Sequence, residues 1–307
     1  MKIFVTGAYG YSGQYIARRL MAEGHDVFTL TNSPNRGNVL GDRIIAYPLD
    51  FQNSDRMAGV MEGADALVNT YWVRFNHPLF RISDAVQNAH NLFRAAGKAG
   101  IRKIVHISIT NPDIHSSLEY FAGKARLEAE LVQSDMATTI LRPAVIFGRE
   151  DILLNNIAWA LRRFPLFLIF GDGNYRLQPI YVEDLAELVA QNISNEKSGI
   201  INAIGPETYT FNELISTIKE ELKLRRAVVH APPVVGYLAT KAISWWKRDV
   251  LITSDEIKGL MANLLYTDSP PAGSTSFRGW IRENRNRLGM CYANEVKRRT
   301  NRIAPYA

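Results

Sequence analysis

The chain has 307 residues, 47% of them apolar and 21% charged, and a formal net charge of +6. These values exclude disordered and fibrous classes and leave room for one large or two fused globular domains. Its single cysteine, Cys291, excludes an internal disulfide framework and fits a reducing compartment. No apolar run approaches the roughly 18 residues of a membrane span, and no basic-then-apolar leader precedes the first strand, so a cytoplasmic protein is expected, with peripheral membrane association as the alternative.

The chain opens with a β-branched run, Lys2-Ile3-Phe4-Val5-Thr6, that leads into Gly7-Ala8-Tyr9-Gly10-Tyr11-Ser12-Gly13 and then a helical stretch. Strand, glycines at three-residue spacing and helix make the order of parts that holds a dinucleotide pyrophosphate. Gly7 allows the tight turn, Gly10 the close approach of the backbone to the phosphates, and Gly13 the packing of helix against sheet. The helix N-terminus adds free N–H groups and partial positive charge.

A second strand spans 26–31. Its end decides between NAD and NADP, because an acidic residue there would accept the ribose hydroxyls. Thr31, Asn32, Ser33 and Arg36 stand there instead, which favours NADP(H) over NAD(H). The third strand, 43–47, leads to Asp50 and Phe51, and Asp50 reads equally as a contact to the adenine amino edge or as a turn residue. The fourth, 64–69, carries Asn69, Thr70 and Tyr71 at its carboxyl end, the edge where open parallel sheets bind ligands. A long amphipathic helix over 79–98 and a fifth strand over 104–108 complete an alternation of strand and helix.

Ser116-Ser117-Leu118-Glu119 has the pattern of a capping box and predicts a helix start there. The helix contains Tyr120-Phe121-Ala122-Gly123-Lys124, so Tyr120 and Lys124 share a face. An ammonium beside a phenol stabilises the phenolate, which suits Tyr120 to proton transfer at a carbonyl or alcohol while nicotinamide moves hydride.

The glycine motif, Leu49-Asp50, His106-Ile107-Ser108, Tyr120-x-x-x-Lys124, Leu141-Arg142-Pro143-Ala144-Val145 and Pro179-Ile180-Tyr181 together resemble the extended or atypical short-chain dehydrogenase/reductase superfamily, the NAD-dependent epimerase/dehydratase group. Within it the chain is similar to the branch that contains the nucleotide-binding accessory subunit of respiratory complex I. The resemblance covers residues 1 to about 205. It implies Gly7, Gly10 and Gly13 at the pyrophosphate, Asp50 at adenine, Tyr120 as acid/base with Lys124, and Pro143, Ala144 and Val145 at nicotinamide. The chain departs from the pattern at Ile109, where the family has Ser or Thr. Ser108 or Thr110 is the available substitute.

The expected architecture is α/β: a Rossmann-type, doubly wound parallel sheet over 1–148 and a smaller mixed lobe over 149–307, with 178–204 returning to the sheet. In that lobe Asn155 and Asn156 are candidate lining groups, and Trp159 reads as core. The segment 232–248 is an apolar helix with Trp245, Trp246, Lys247 and Arg248 at its end. It reads either as a membrane-surface or partner-groove helix or, preferred here, as a helix with its tryptophans in the core. Residues 278–302 carry eight cations against Glu283 and Glu295, a basic segment for an anionic lipid, an acidic partner or solvent. No nucleic-acid or metal motif is present.

Three functions follow in order of preference. The first is an NADP(H)-dependent oxidoreductase acting on a carbonyl or alcohol of a small molecule. The second is a cofactor-holding accessory or assembly subunit of a membrane-associated complex. The third is an NAD-dependent sugar-nucleotide epimerase or dehydratase.

Overall fold

The computed structural model describes residues 1–305 and divides into two compact units. The first comprises Met1–Pro143, Val182–Ala203 and the residues from Arg302 onward; the second comprises Ala144–Tyr181 and Ile204–Asn301.

The first unit is built on the predicted alternation. Strand β1 (Lys2–Thr6) is followed by α1 (Tyr11–Ala22), β2 (Asp26–Thr31), β3 (Ile45–Pro48), α2 (Ser54–Met61) and β4 (Ala66–Asn69). Then come α3 (Ile82–Lys98), β5 (Lys103–Ile107), α4 (Glu119–Val132) and β6 (Ala137–Leu141). The inner strands β1, β4, β5 and β6 are buried almost throughout, as parallel strands covered on both faces must be. Their side chains, Phe4, Leu67 and Ile104, pack with Leu92 and Phe93 of α3 and Leu127 of α4. β3 starts later than expected because residues 41–43 form a 3₁₀ turn. α3 starts at Ile82 because His77 and Phe80 exchange backbone hydrogen bonds in a tight turn before it.

The chain then enters the second unit with β7 (Val145–Phe147), α5 (Leu153–Arg163), β8 (Leu166–Phe170), β9 (Arg176–Leu177) and β10 (Pro179–Tyr181). It returns to the first with α6 (Val182–Ile193) and β11 (Gly199–Ile201). β11 pairs with β6 and completes a seven-stranded parallel sheet in the order β11-β6-β5-β4-β1-β2-β3. The order reverses between β1 and β4, the crevice where this architecture takes its ligand.

The rest of the second unit holds β12 (Tyr209–Thr210), α7 (Phe211–Glu221), β13 (Ala227–Ala231), α8 (Pro233–Lys247), α9 (Ser254–Met261), α10 (Phe277–Asn284) and α11 (Glu295–Thr300). Its core gathers around Phe147, which meets Phe277 at 5.1 Å and Trp280 at 5.5 Å between ring centroids. Thr210 with Glu213 and Thr253 with Glu256 form reciprocal capping boxes that start α7 and α9. No helix among the described residues is long and apolar enough to cross a membrane.

Candidate functional site

The turn after β1 is shaped by backbone approach. Gly7 has a φ of +65° and its N–H donates to Leu30 O, while Gly10 N–H donates to Gly7 O at 2.8 Å. A Cβ on Gly13 would lie 2.2 Å from Gly7 O and 2.8 Å from Gly7 C. Only glycine lets α1 start this close to the strand end. Ala8 N–H donates to Thr29 Oγ1, whose own hydroxyl donates to Val5 O, so β2 pins the loop. The N-cap of α1 is Gly10, no side chain caps it, and the first turn carries no acid. With no side-chain cap and no acid in that turn, its N–H groups and dipole fit a pyrophosphate. Of the other loop residues, Ala8 and Tyr9 are buried, burial raising the Tyr9 pKa, and the Tyr11 ring lies edge-on to Tyr15, beside half-buried Ser12.

The residues expected at an adenosine lie beyond β2. Thr31 Oγ1 accepts from Ser33 N–H, and buried Arg36 donates its N–H to Ser33 O while its carbonyl accepts from Asn38. Asp50 is half-buried with Arg56 Nη1 at 3.8 Å, and Phe51 packs against Tyr71 at 4.6 Å.

At the end of β4, Asn69 Oδ1 accepts from Thr6 Oγ1 and from Tyr71 N–H, each at 3.0 Å. Thr70 N–H donates to Thr6 Oγ1, and the Thr70 hydroxyl donates to Thr6 O. With its oxygen so used, Asn69 presents Nδ2 to His106 Nδ1 at 3.1 Å. The network therefore assigns the His106 proton to Nε2. Burial, and secondarily the nearby Lys124 charge, hold His106 well below its ordinary pKa, so it is neutral near pH 7.

Tyr120 is the second residue of α4, half-buried, its ring edge-on to Trp72 at 5.6 Å. One turn on, Lys124 Nζ donates to Ile107 O at 2.7 Å and sits 4.3 Å over the same indole. Gly123 admits Trp72 to this helix face, since a Cβ there would lie 3.1 Å from Trp72 Cη2. Burial lowers the Lys124 pKa to about 7, with Glu128 opposing. The capping box expected at Ser116 does not form. Ser116 Oγ accepts from Leu118 N–H, only two residues on, and the helix starts behind Leu118 without a side-chain cap.

The polar groups after β5 turn inward. The Ser108 hydroxyl donates to Glu128, whose carboxylate also takes the Arg142 guanidinium, with Nε 3.1 Å from both oxygens. Ile109 and Thr110 are buried, and Thr110 N–H donates to Pro143 O. Pro143 follows β6, whereas Ala144 and Val145 belong to the second unit. Lys124 and Ser108 thus converge on the end of β5 and on Glu128. Trp72 and Glu128 were not singled out in the sequence, and Arg142 appeared there only inside a motif, without a role. Glu128 was within reach, lying one turn beyond Lys124 on the same helix face.

The second unit corrects one expectation and gives Asn155 and Asn156 a structural role: Asn155 Oδ1 accepts from Gly289 N–H, and the Asn156 amide exchanges two hydrogen bonds with the Ala293 backbone, tying residues 289–293 to α5. The tryptophan pair is not core. Trp245 is 86% exposed, Trp246 53%, Val234 70% and Leu238 62%, and only Gly236 of α8 is buried. The helix packs through that glycine, where a Cβ would come 2.5 Å from Phe170 Cδ1, and through Lys247, whose Nζ lies 4.9 Å from the Trp159 ring centroid. Much of the basic segment is internally paired: Arg278 and Arg282 with Glu221, and Arg299 with Glu295.

The sequence profile of the NAD dependent epimerase/dehydratase family matches residues 3–205. The chain belongs to that family. Among curated family relatives, the mitochondrial NADH-ubiquinone oxidoreductase 40 kDa subunit of Neurospora crassa is 29% identical over 83% of this chain and 69% of its own length. The mitochondrial NADH dehydrogenase [ubiquinone] 1 alpha subcomplex subunit 9 of Arabidopsis thaliana is 24% identical over 71% and 57%. The chain thus spans little more than half the length of the second relative. Among solved structures, an NADPH-dependent quinone oxidoreductase of Escherichia coli, complexed with NADPH, superposes with a TM-score of 0.76, at 18% identity over 93% of this chain and 99% of that one. A Thermus thermophilus UDP-glucose 4-epimerase complexed with NAD gives 0.63, at 18% identity over 86% and 99%. At that identity the two likenesses concern the fold.

Proposed function

We propose that this protein is a cofactor-holding accessory subunit of a membrane-associated respiratory assembly, with NADP(H) as a structural ligand. The observation that carries the reading is α8, whose exposed apolar and aromatic side chains, together with Lys241 and Arg248, suit burial against a partner. The relatives' printed names, subunits of NADH-ubiquinone oxidoreductase, support the same reading. So do the polar groups of β5 and α4: Ser108 is engaged by Glu128, and Ile109 leaves hydrocarbon at a place where a substrate oxygen needs a donor.

A bound nicotinamide dinucleotide would supply hydride chemistry if a substrate reached it. In this reading the chain's own residues chiefly hold the ligand. The first turn of α1 binds the pyrophosphate through backbone N–H groups, and Gly7, Gly10 and Gly13 let it approach. Asp50 would accept a hydrogen bond from the adenine amino group. Thr31, Asn32, Ser33 and Arg36 accept a 2′-phosphate where an acidic residue would repel it.

A second reading, an NADP(H)-dependent oxidoreductase, is favoured by one feature. Tyr120 and Lys124 keep their spacing on α4, and a Lys124 pKa of about 7 is suited to proton exchange near neutrality. Titrating the purified chain with NADPH and NADH by fluorescence, then assaying cofactor oxidation on carbonyl and quinone panels, separates the two. Tight NADPH binding without turnover, and no effect of Tyr120→Phe, is expected. Turnover that Tyr120→Phe abolishes would replace the accessory reading with the reductase.

A further inference from the structure

Residues 302–305 leave α11 and return to the first unit, where they lie along the loop that follows β2. Arg302 Nη1 donates to Asn32 O at 3.4 Å, and Gly37 N–H donates to Ile303 O at 2.9 Å. The segment also runs beside Gly37, where a Cβ would stand in ordinary contact with Pro305, 3.6 Å from its Cδ. The segment therefore brackets residues 32–37 at both ends.

This loop occupies the position at which a doubly wound fold meets the 2′ carbon of the adenosine ribose. Residues 31–41 and 300–305 contain two arginines, Arg36 and Arg302, and no carboxylate. A ribose with free hydroxyls is recognised by an acid; a phosphomonoester dianion is recognised by guanidinium groups with planar, charged donors. Arg36 is buried, with its backbone held by Ser33 and Asn38, whereas Arg302 is exposed at the carbonyl end of β2.

We propose that residues 302–305 form a strap over the ribose-reading loop and that Arg302 is a cofactor-specificity residue, pairing with the 2′-phosphate of NADP(H) from outside the sequence-contiguous nucleotide motif. The inference rests on the cofactor reading above and adds to it the residue and segment that select the phosphate. It also makes strap order and cofactor binding reciprocal: a ligand bearing the 2′-phosphate holds the strap down, and a docked strap holds that ligand.

The test is titration of the full chain, of Arg302→Gln, of Arg302→Lys and of a chain ending before Arg302 with NADPH, NADH and 2′,5′-ADP. Thermal melting without ligand confirms that each variant is folded. Loss of one charge-assisted contact should weaken NADPH and 2′,5′-ADP by roughly ten- to a hundredfold in Arg302→Gln and in the truncation. NADH should be unchanged, and Arg302→Lys should recover part of the loss. Amide exchange at residues 32–37 and 302–305 should slow on adding NADPH and not on adding NADH. If the unaltered chain binds neither dinucleotide, the cofactor reading fails and the strap proposal fails with it. If it binds NADPH but Arg302→Gln leaves the NADPH/NADH ratio as it was, the strap proposal alone is overturned.

Discussion

Gly13→Ala places one methyl group where the structure has backbone. Its Cβ would stand 2.2 Å from Gly7 O, 2.8 Å from Gly7 C and 3.0 Å from Ala8 Cα, and none of these atoms belongs to a side chain that can turn away. Restoring ordinary contact requires α1 to retreat by about 1 Å from the end of β1. Overpacking of this kind costs about 1–3 kcal/mol of stability, which a thermal or urea melt reads directly. The larger effect is on the ligand. A retreat of about 1 Å takes the N–H groups of the first helical turn out of hydrogen-bond range of a pyrophosphate, and each charge-assisted bond is worth about 1.5–3 kcal/mol. Losing two should raise the NADPH Kd by more than about a hundredfold in a fluorescence titration. Gly59→Ala, in α2 with nothing within 4 Å of the added Cβ, is the control, expected to be neutral or stabilising by about 0.5–1 kcal/mol. A folded Gly13→Ala protein that binds NADPH as well as the parent would refute the placement of the pyrophosphate at this turn.

Other expectations concern the groups behind the site and the surface of the second unit. Glu128→Ala should cost about 3 kcal/mol in urea denaturation, because it strips the carboxylate from Arg142 and from Ser108 in a buried setting, whereas Ser108→Ala should cost only about 1 kcal/mol. The Lys124 pKa of about 7 in the fold lies below its ordinary 10.5, so between those values the unfolded chain binds more protons than the folded one. Stability should therefore rise with pH across that window, by up to about 1.4 kcal/mol per pH unit, with the penalty fully present below pH 7; Lys124→Met should flatten the slope of melts taken from pH 7 to 10. Trp245→Ser should change stability by no more than about 0.5 kcal/mol, since that ring is 86% exposed, yet should weaken retention by the partner assembly in a membrane-extract pull-down. Retention equal to that of the parent would remove α8 from the docking face.

The central sheet was legible because its strands are short apolar runs whose ends carry the candidate site residues, and both signals are local. The limits of β3 and α3 were read less well, because a 3₁₀ turn at 41–43 and the turn at His77 and Phe80 are made by backbone geometry that leaves little trace in hydrophobic pattern. The Ser116 hydroxyl shows how a motif can match and still not form: the same side chain that caps a helix three residues on can close a turn two residues on, and the local hydrogen bond decides which. Ser108, Glu128 and Arg142 lie after β5, on α4 and after β6, so no spacing rule links all three; they meet only because β5 and β6 are neighbours under α4.

The misreading of α8 has a different origin. Apolar composition says that burial is favourable, not what supplies it, and the rule that apolar residues lie inside runs one way only. The second unit already has a core in Phe147, Phe277, Trp280, Leu214 and Ile281, and α8 packs on that unit through Gly236 against Phe170 and through Lys247 over Trp159, which leaves Val234, Leu238 and Trp245 exposed. The remaining face of the helix thus keeps the driving force that the sequence recorded, about 25 cal/mol for each Å² of apolar surface that a partner would cover. That unspent burial gives the helix a reason to be apolar although this chain alone leaves it exposed, and it ties the surface to the proposed docking rather than to the fold.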